Sequence, residues 1–420
     1  MQTKLADFIK DTPEGREADA ILRKCVHCGF CTATCPTYQL LGDELDGPRG
    51  RIYLIKGMLE GAEVTARTQL HLDRCLTCRA CETTCPSGVQ YGRLVDIGRK
   101  LAEERVPRPA SQRLLRRVLS VVLPRSWLFA SLLKLGRWTR PMLPFALQDK
   151  VPPAAPAAGA WPAARHARRM LVLAGCVQPA LAPAVNAASA RVLDKLGIAL
   201  IEAPGAGCCG AVRFHLNAQE DGLADMRALI DAWWPYVEAD AGGAGGVEAI
   251  VMSASGCGTT VKEYGHLLAH DPAYAAKAQR IGALTKDLSE VVAAELDRLK
   301  PLLAATKPSA QTSKLALQLP CSLQHGQQIR GLTESILVAA GFELTPVADS
   351  HLCCGSAGTF SILQPELSAK LKSNKLAALH AGSPQAIVSA NIGCLNHLQS
   401  GTALPTEHWI VALERRLAAI

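Results

Sequence analysis

The chain has 420 residues, of which 49% are hydrophobic and 20% are charged, and its net charge is +8. This length predicts two to four domains, and a mildly basic balance does not by itself indicate nucleic-acid binding. The first residues lack an apolar run with a cleavage site, and no run of about 18 uncharged apolar residues occurs. We therefore expect a cytoplasmic chain without a membrane span.

The amino-terminal region carries a repeated cysteine motif. The segment CVHCGFCTATCP at 25–36 returns at 75–86 as CLTCRACETTCP. Each copy reads C-x2-C-x2-C-x3-C-P, in which three sulfurs of one loop reach one iron–sulfur cube and the fourth ligates the other cube. The predicted ligands are Cys25, Cys28, Cys31 and Cys85 for cluster one, and Cys75, Cys78, Cys81 and Cys35 for cluster two. Zinc is the alternative, but a zinc site usually uses two separate cysteine pairs.

The interval between the motifs, PRGRIYLIKGMLEG at 48–61, predicts a helix with Pro48 in its first turn. Arg49, Arg51 and Lys56 on this helix should lie near the clusters. They either form a solvated face or tune the reduction potentials by charge and hydrogen bonding. Two 4Fe-4S clusters held close together suit an electron relay.

A basic segment follows at 108–150, with nine Lys or Arg residues and one acid, Asp149. Residues 109–140 predict helices interrupted at Pro124, with Trp127 and Trp138 in the second part. Three interpretations stay open: binding to the anionic inner-membrane surface, docking to a partner subunit, or a solvated helix face. The Pro/Ala-rich stretch at 151–164 predicts a semi-rigid linker.

A second repeat, with a shift of 145 residues, occupies the carboxy-terminal part. Each copy has one cysteine, then a Cys-Cys-Gly triplet, then a further cysteine. The cysteines are Cys176, Cys208, Cys209 and Cys257 in the first copy, and Cys321, Cys353, Cys354 and Cys394 in the second. Cytosolic thiols are kept reduced, so a disulfide framework is not expected. An iron–sulfur or related metal site is favoured over buried structural thiols or a redox-active dithiol.

Short β-rich runs at 169–176 and 314–321 are each followed by a helical pattern that stops at a glycine, Gly197 or Gly341. Two further strand patterns per copy predict a parallel α/β unit with its cysteines at strand ends. The predicted fold is α+β and multidomain. It comprises a helical ferredoxin domain at 1–105, a basic helical segment and linker at 106–167, and α/β cysteine-rich CCG modules at 168–300 and 313–420.

The two ferredoxin motifs, the helix between them and the paired CCG modules together resemble glycolate oxidase iron–sulfur subunits over essentially the whole chain. The resemblance implies electron transfer from flavin-binding partner subunits, which oxidise glycolate to glyoxylate, to a respiratory acceptor such as quinone. The catalytic flavin would then lie on a partner, and this chain would hold no catalytic residue. Alternatives are the corresponding subunit of a glycerol-3-phosphate or lactate dehydrogenase, or a heterodisulfide-reductase-like enzyme that uses its CCG modules.

One departure concerns the heterodisulfide reductases, whose CCG module ends in C-x-x-C and builds a non-cubane cluster. Here Thr260 and His397 stand where the last cysteine would be. Two possibilities therefore stay open for the CCG modules: each holds a conventional cluster, or it holds no metal. Gly205, Gly207 and Gly210 match a dinucleotide-binding pattern, but the second copy keeps only the last glycine, so nucleotide binding is not expected.

Overall fold

The computed structural model of the chain describes residues 1–142, 144, 151–238, 246–306 and 313–418. The amino-terminal part is helical, as predicted. Its α-helices are α1 (Pro13–Lys24), α2 (Phe30–Ala33), α3 (Pro36–Leu41), α4 (Pro48–Leu59), α5 (Ala66–Asp73), α6 (Ala80–Thr84) and α7 (Tyr91–Arg105). A 3-10 turn at Glu44–Asp46 precedes α4.

Local chemistry explains where these helices begin. Thr12 caps α1 by accepting a hydrogen bond from the Gly15 N–H, and Pro36 and Pro48 occupy first helical positions. Apolar residues of α1, α4, α5 and α7 then form one core, on which the cysteine loops lie.

Two amphipathic helices follow, α8 (Ala110–Val122) and α9 (Ser126–Thr139), broken as predicted around Pro124. A short 3-10 turn ends α9 at Arg140–Met142. Among the described residues no single helix is long and apolar enough to cross a membrane. The helices Ala110–Val122 and Ser126–Met142 are long and apolar enough only when they are counted as one segment, and a bend of 109° separates them. Asp149 and Lys150 of the basic segment lie outside the described residues.

Each CCG module contains a four-stranded parallel sheet. In the first module the order is β2-β1-β3-β4, and in the second it is β6-β5-β7-β8. The strands are β1 (Arg168–Val172), β2 (Ile198–Glu202), β3 (Ile250–Met252), β4 (Thr285–Asp287), β5 (Lys314–Gln318), β6 (Glu343–Leu344), β7 (Ala386–Ser389) and β8 (Thr406–His408). The sequence did not predict the fourth strand of each sheet, because β4 and β8 consist of three polar residues each and show no apolar run.

Helices cover both sheets. Those of the first module are α10 (Gln178–Leu181), α11 (Ala184–Lys195), α12 (Ala211–His215), α13 (Gln219–Glu238), α14 (Ser255–Lys262), α15 (Tyr264–Leu267), α16 (Ala275–Leu284), α17 (Leu288–Ala294) and α18 (Leu296–Ala304). Those of the second are α19 (Leu332–Ala339), α20 (Phe360–Leu363), α21 (Pro365–His380), α22 (Ile392–Gln399) and α23 (Trp409–Leu417), besides a π-turn at Ser322–Gly326. Gly197 and Gly341 have positive φ angles and end α11 and α19 as predicted.

The two modules share a hydrophobic core. One cluster of buried side chains includes Val192 of α11, Val292 of α17, Ile336 of α19 and Trp409 of α23. The modules are therefore joined across a packed interface of helices. The predicted linker also packs against the first module, because Trp161 donates its indole N–H to the Leu200 carbonyl at 3.1 Å.

Candidate metal centres

The first cysteine site is an open cavity beside α4, with about 440 Å³ of empty space that includes open solvent. Three cysteines of the first motif and the last cysteine of the second line it: Cys25, Cys28, Cys31 and Cys85. Cys28 is exposed and Cys25 is buried. The motif spacing predicts these four cysteines as the ligands of cluster one, and their assignment as ligands stays a prediction.

The second cysteine site is an open cavity next to the first, with about 290 Å³ of empty space that includes open solvent. Its lining cysteines are Cys35, Cys75, Cys78 and Cys81. Cys81 also borders the first cavity, so it lies on the wall between the two. Here too the fourth cysteine of one motif lies with the first three of the other.

The two loops repeat an unusual backbone conformation. His27 and Thr77 both have positive φ angles, 61° and 52°, and so do Gly29 and Arg79, 87° and 59°. Left-handed conformations cost free energy in residues other than glycine, so both loops are held in place by their surroundings. At Arg79 the guanidinium donates two hydrogen bonds to Glu263, at 2.5 and 2.7 Å.

The thiols fit an iron–sulfur group chemically. Burial raises the pKa of the Cys31 thiol to about 11, and the neighbouring Cys25 adds to the rise. Burial also raises the pKa values of Cys78 and Cys81. Thiolates at these positions therefore need positive charge beside them, which an iron–sulfur group held by these cysteines would supply. Four soft sulfur ligands per cavity match this metal chemistry.

The three basic residues of the predicted helix have different roles. Arg49 lines the first cavity and pairs with Glu44 at 2.6 Å, whereas Arg51 lines the second cavity. Lys56 pairs with Glu60 at 2.5 Å and lines neither cavity.

Arg51 belongs to a buried polar network beside the second cavity. Its side chain is 1% exposed and donates to the His71 carbonyl at 2.7 Å and to Asp46 at 3.4 Å. Burial opposes its charge, but Tyr91, Cys75, Cys35 and Asp46 together hold the pKa of Arg51 above its usual value. A permanent cation thus lies next to the second cysteine set.

The CCG cysteines of the first module also converge. Cys208 forms hydrogen bonds with the thiols of Cys176 and Cys209. These bonds lower the pKa of Cys208, and the bond with Cys176 has the larger effect. The same bond raises the pKa of Cys176. Cys209 in turn contacts Cys257. Three of the four are buried and Cys257 is partly exposed.

The second module repeats this arrangement. The sulfurs of Cys321 and Cys353 are 3.8 Å apart, Cys353 contacts Cys354, and Cys354 contacts Cys394. The repeat in sequence is therefore a repeat of four-thiol sites in space.

The glycine of each CCG triplet is required by packing. Gly210 and Gly355 have φ angles of +82° and +88°. A Cβ atom at Gly210 would come within 2.5 Å of the Gly222 carbonyl oxygen, and one at Gly355 within 2.8 Å of the Ser368 carbonyl oxygen. The glycine thus brings the cysteine loop close to the backbone of α13 or α21.

The histidines near the cysteines have other partners. His325 contacts the Thr83 hydroxyl at 2.8 Å and the His351 carbonyl at 2.9 Å, so both ring nitrogens are used. His397 contacts the Ser368 hydroxyl at 3.2 Å, and burial lowers its pKa to about 4. The ring of His27 packs against Tyr53 at 5.5 Å.

The fold and the cysteine sites define an iron–sulfur protein with a helical dicluster domain and two cysteine-rich modules. Residues 21–89 match the family described as 4Fe-4S dicluster domain, and residues 170–262 and 315–399 match the family described as Cysteine-rich domain.

Whole-chain comparison gives a narrower family. The chain is 54% identical to the glycolate oxidase iron-sulfur subunit of Escherichia coli (strain K12) over 99% of both chains. It is 31% identical to the probable glycolate oxidase iron-sulfur subunit of Bacillus subtilis (strain 168), over 90% of this chain and 89% of that one. Lactate utilization protein A of Bacillus licheniformis is 26% identical over 51% of this chain and 83% of its own length. The chain belongs to the family of glycolate oxidase iron–sulfur subunits.

Proposed function

We propose that this chain is the electron-transfer subunit of a flavin-dependent glycolate dehydrogenase. Oxidation of glycolate to glyoxylate releases two electrons and two protons, and the chain carries the electrons one at a time away from the flavin of a partner subunit. The observation that carries the proposal is the pair of adjacent cysteine-lined cavities, in a chain 54% identical to a glycolate oxidase iron-sulfur subunit over 99% of its length. Iron–sulfur groups supply reversible one-electron transfer.

The proposed ligands are the crossed sets. Cys25, Cys28, Cys31 and Cys85 would hold the first cluster, and Cys75, Cys78, Cys81 and Cys35 the second. The exposed Cys28 puts the first cluster near the surface, so we propose that electrons enter there. The protein keeps both sets of thiols close together and surrounds the second with buried side chains.

Serine substitutions test the ligand sets by electron paramagnetic resonance on anaerobically purified, dithionite-reduced protein. Crossed ligation predicts that Cys28→Ser and Cys85→Ser change the same signal, whereas Cys35→Ser and Cys78→Ser change the other. If Cys35→Ser instead alters the same signal as Cys28→Ser, each motif holds its own cluster. Zinc in place of iron and sulfide would contradict the proposal altogether.

The substrate is tested with the assembled complex. Glycolate added to this chain with its flavin-binding partners should bleach the visible absorbance of the clusters, whereas the isolated chain should not respond. Lactate and glycerol 3-phosphate are the comparison substrates, because related subunits serve other dehydrogenases. Faster cluster reduction by either of them would reassign the substrate.

We further propose a quinone as the acceptor and a peripheral position on the inner membrane. The support is the helix pair α8–α9, which combines exposed apolar side chains with basic ones. Its large exposed apolar residues are Leu114, Leu115, Val118, Val121, Trp127, Leu132, Leu135 and Trp138. Apolar side chains enter the lipid boundary, while arginines bind anionic headgroups. This would bring the chain to the membrane, where quinone is dissolved.

A further inference from the structure

The two CCG sites differ in their distance from the dicluster domain. In the second module Cys321 and Cys353 belong to the same packed cluster as Cys78 and Leu76, which lie in the second ferredoxin motif. Phe360 completes this contact from the side of the second module. Cys78 lines the second cluster cavity, so the four-thiol site of the second module directly adjoins that cavity.

A hydrogen bond fixes this contact. Thr83 of α6 meets the Nδ1 atom of His325 at 2.8 Å, and the other ring nitrogen of His325 contacts the His351 carbonyl at 2.9 Å. His325 lies four residues after Cys321, and His351 lies two before Cys353. The segments that carry the two thiols are therefore tied to the second ferredoxin motif.

The first module meets the dicluster domain through other residues. Arg79 pairs with Glu263, and His266 faces Glu17 at 3.2 Å. Glu263 lies six residues after Cys257. In the described part of the chain, the cluster of apolar side chains around Cys209 and Cys257 includes no residue of the ferredoxin motifs. The four-thiol site of this module thus lacks the direct connection that the other has.

The charged neighbours of the two sites also differ. In the second module Lys375 is 4% exposed, donates to the Asp349 carbonyl at 2.9 Å, and lies in the field of Cys353 and Cys354. In the first module a partly exposed ion pair lies near Cys208, in which Asp225 pairs with Arg213 at 2.6 Å. A buried cation favours negatively charged sulfur ligands, whereas the two charges of an ion pair largely offset each other.

We propose that Cys321, Cys353, Cys354 and Cys394 hold a third redox-active iron–sulfur centre, that it exchanges electrons with cluster two, and that the first module is not on this path. The proposal rests on the proposed electron-transfer function and extends the relay into the second module. In each step cluster two loses one electron and the third centre gains it. The electron originates from glycolate and leaves for the respiratory acceptor.

The test uses the whole chain, purified without air and reduced with dithionite, so that neither glycolate nor the partner subunits are needed. Iron and sulfide analysis of the wild type should exceed the about eight irons of two 4Fe-4S clusters. Cys353→Ser should remove one paramagnetic centre and the spin coupling that it imposes on cluster two. Cys208→Ser, the matched change in the first module, should keep both.

Two results would overturn the proposal. One is a wild-type protein with two paramagnetic centres and no iron beyond them. The other is loss of the third centre in Cys208→Ser but not in Cys353→Ser. The cluster-one signal shows in each sample that the chain has folded.

Lys375→Gln and Lys375→Arg provide a second measurement if Cys353→Ser is unstable. The Gln variant should lower the potential of the third centre and the Arg variant should retain it, whereas an unchanged potential in Lys375→Gln contradicts the assignment. Failure of glycolate to reduce the intact complex would instead contradict the proposed function and leave the dithionite result standing.

Discussion

Arg51 shows what one buried charge does beside a redox site. The guanidinium lines the second cavity but not the first, and its side chain is 1% exposed. Adding an electron to a cluster is easier next to a fixed cation, and low local polarity strengthens this effect. Arg51 should therefore raise the potential of cluster two, which favours electron flow inward from the exposed end.

Removing a positive charge and removing a negative charge from the buried network of Arg51 and Asp46 should shift the potential of cluster two in opposite directions. Arg51→Gln removes a positive charge and should lower it by tens of millivolts, while Asp46→Asn removes a negative charge and should raise it. Redox titration followed by electron paramagnetic resonance measures both. Arg49→Gln is the control and should act mainly on cluster one. Equal shifts of both clusters in Arg51→Gln would contradict this assignment.

His408 illustrates a neutral histidine at the interface of the two CCG modules. Its Nε2 contacts the Ser253 carbonyl of the other module at 2.8 Å, and its Nδ1 accepts from the Ile410 N–H at 3.2 Å. Protonation would place two N–H groups against each other at Nδ1. Burial lowers the pKa of His408 from 6.5 to about 4.

This pKa shift predicts a loss of stability in acid. Below pH ~6.5 the unfolded chain binds a proton that the folded chain does not bind until about pH 4, so the contribution of His408 falls as the pH falls. Between pH ~7 and ~5 the loss is roughly 2 kcal/mol. By urea unfolding, the loss of stability between the two pH values should be smaller by this amount in His408→Asn than in the wild type. The buried His397, whose pKa is also lowered to about 4, contributes to the loss in both proteins. His380→Asn, at an exposed histidine, should behave like the wild type.

At the scale of elements, α8 and α9 form the most unusual surface. Arg113, Arg116 and Arg117 lie close together in the sequence of α8, but their surroundings differ. Arg116 pairs with Asp73 at 3.2 Å and is 12% exposed, so it anchors α8 to the dicluster domain. Arg113 and Arg117 are exposed and remain available to anionic headgroups.

The double variant Arg113→Gln/Arg117→Gln should weaken binding to phosphatidylglycerol vesicles by on the order of tenfold or more, because each basic residue contributes about 1 kcal/mol near such a surface. Vesicle sedimentation at low and high salt measures the effect, and phosphatidylcholine vesicles serve as the uncharged comparison. Arg298→Gln/Lys300→Gln, exposed residues on α18, is the matched control. Identical sedimentation of the two double variants would favour a partner-docking role for α8–α9.

At the scale of the whole molecule, the relay depends on how the dicluster domain is seated on the modules. The Arg79–Glu263 pair is bidentate and its side chains are only 11% and 25% exposed. It also holds Arg79 in its left-handed conformation within the second cysteine loop. The pair therefore links the conformation of the second cysteine loop to the contact between the dicluster domain and the first module.

Glu263→Gln should destabilise this contact by about 1 to 3 kcal/mol, the usual value of hydrogen bonds to charged groups. Hydrogen exchange should then speed up in α6 and the loop before it. Glu290→Gln, which removes a pair with Lys262 inside the first module, is the control. Unchanged exchange in α6 would show that apolar packing alone seats the domain. The boundaries 1–105, 106–167, 168–300 and 313–420 stay a prediction that such exchange data can examine.

The sequence by itself determined the local units. The spacing within each C-x2-C-x2-C-x3-C-P motif predicted the crossed cysteine sets, because a loop of that length places three sulfurs together and turns the fourth away. Alternation of strand and helix signals predicted the parallel CCG modules, since these signals are local and repeat with a fixed period. His408, Arg79 and Lys375 carried no such signal.

Only the tertiary structure decided which modules and charges meet. Nothing local in the sequence indicates that Cys321 adjoins Cys78 rather than a thiol of the first module, or that Arg51 is buried while Lys56 is not. Both depend on contacts between residues far apart in the chain. Burial also sets how strongly each charge interacts with its neighbours, because two charges attract or repel each other weakly in water and strongly in a dry interior.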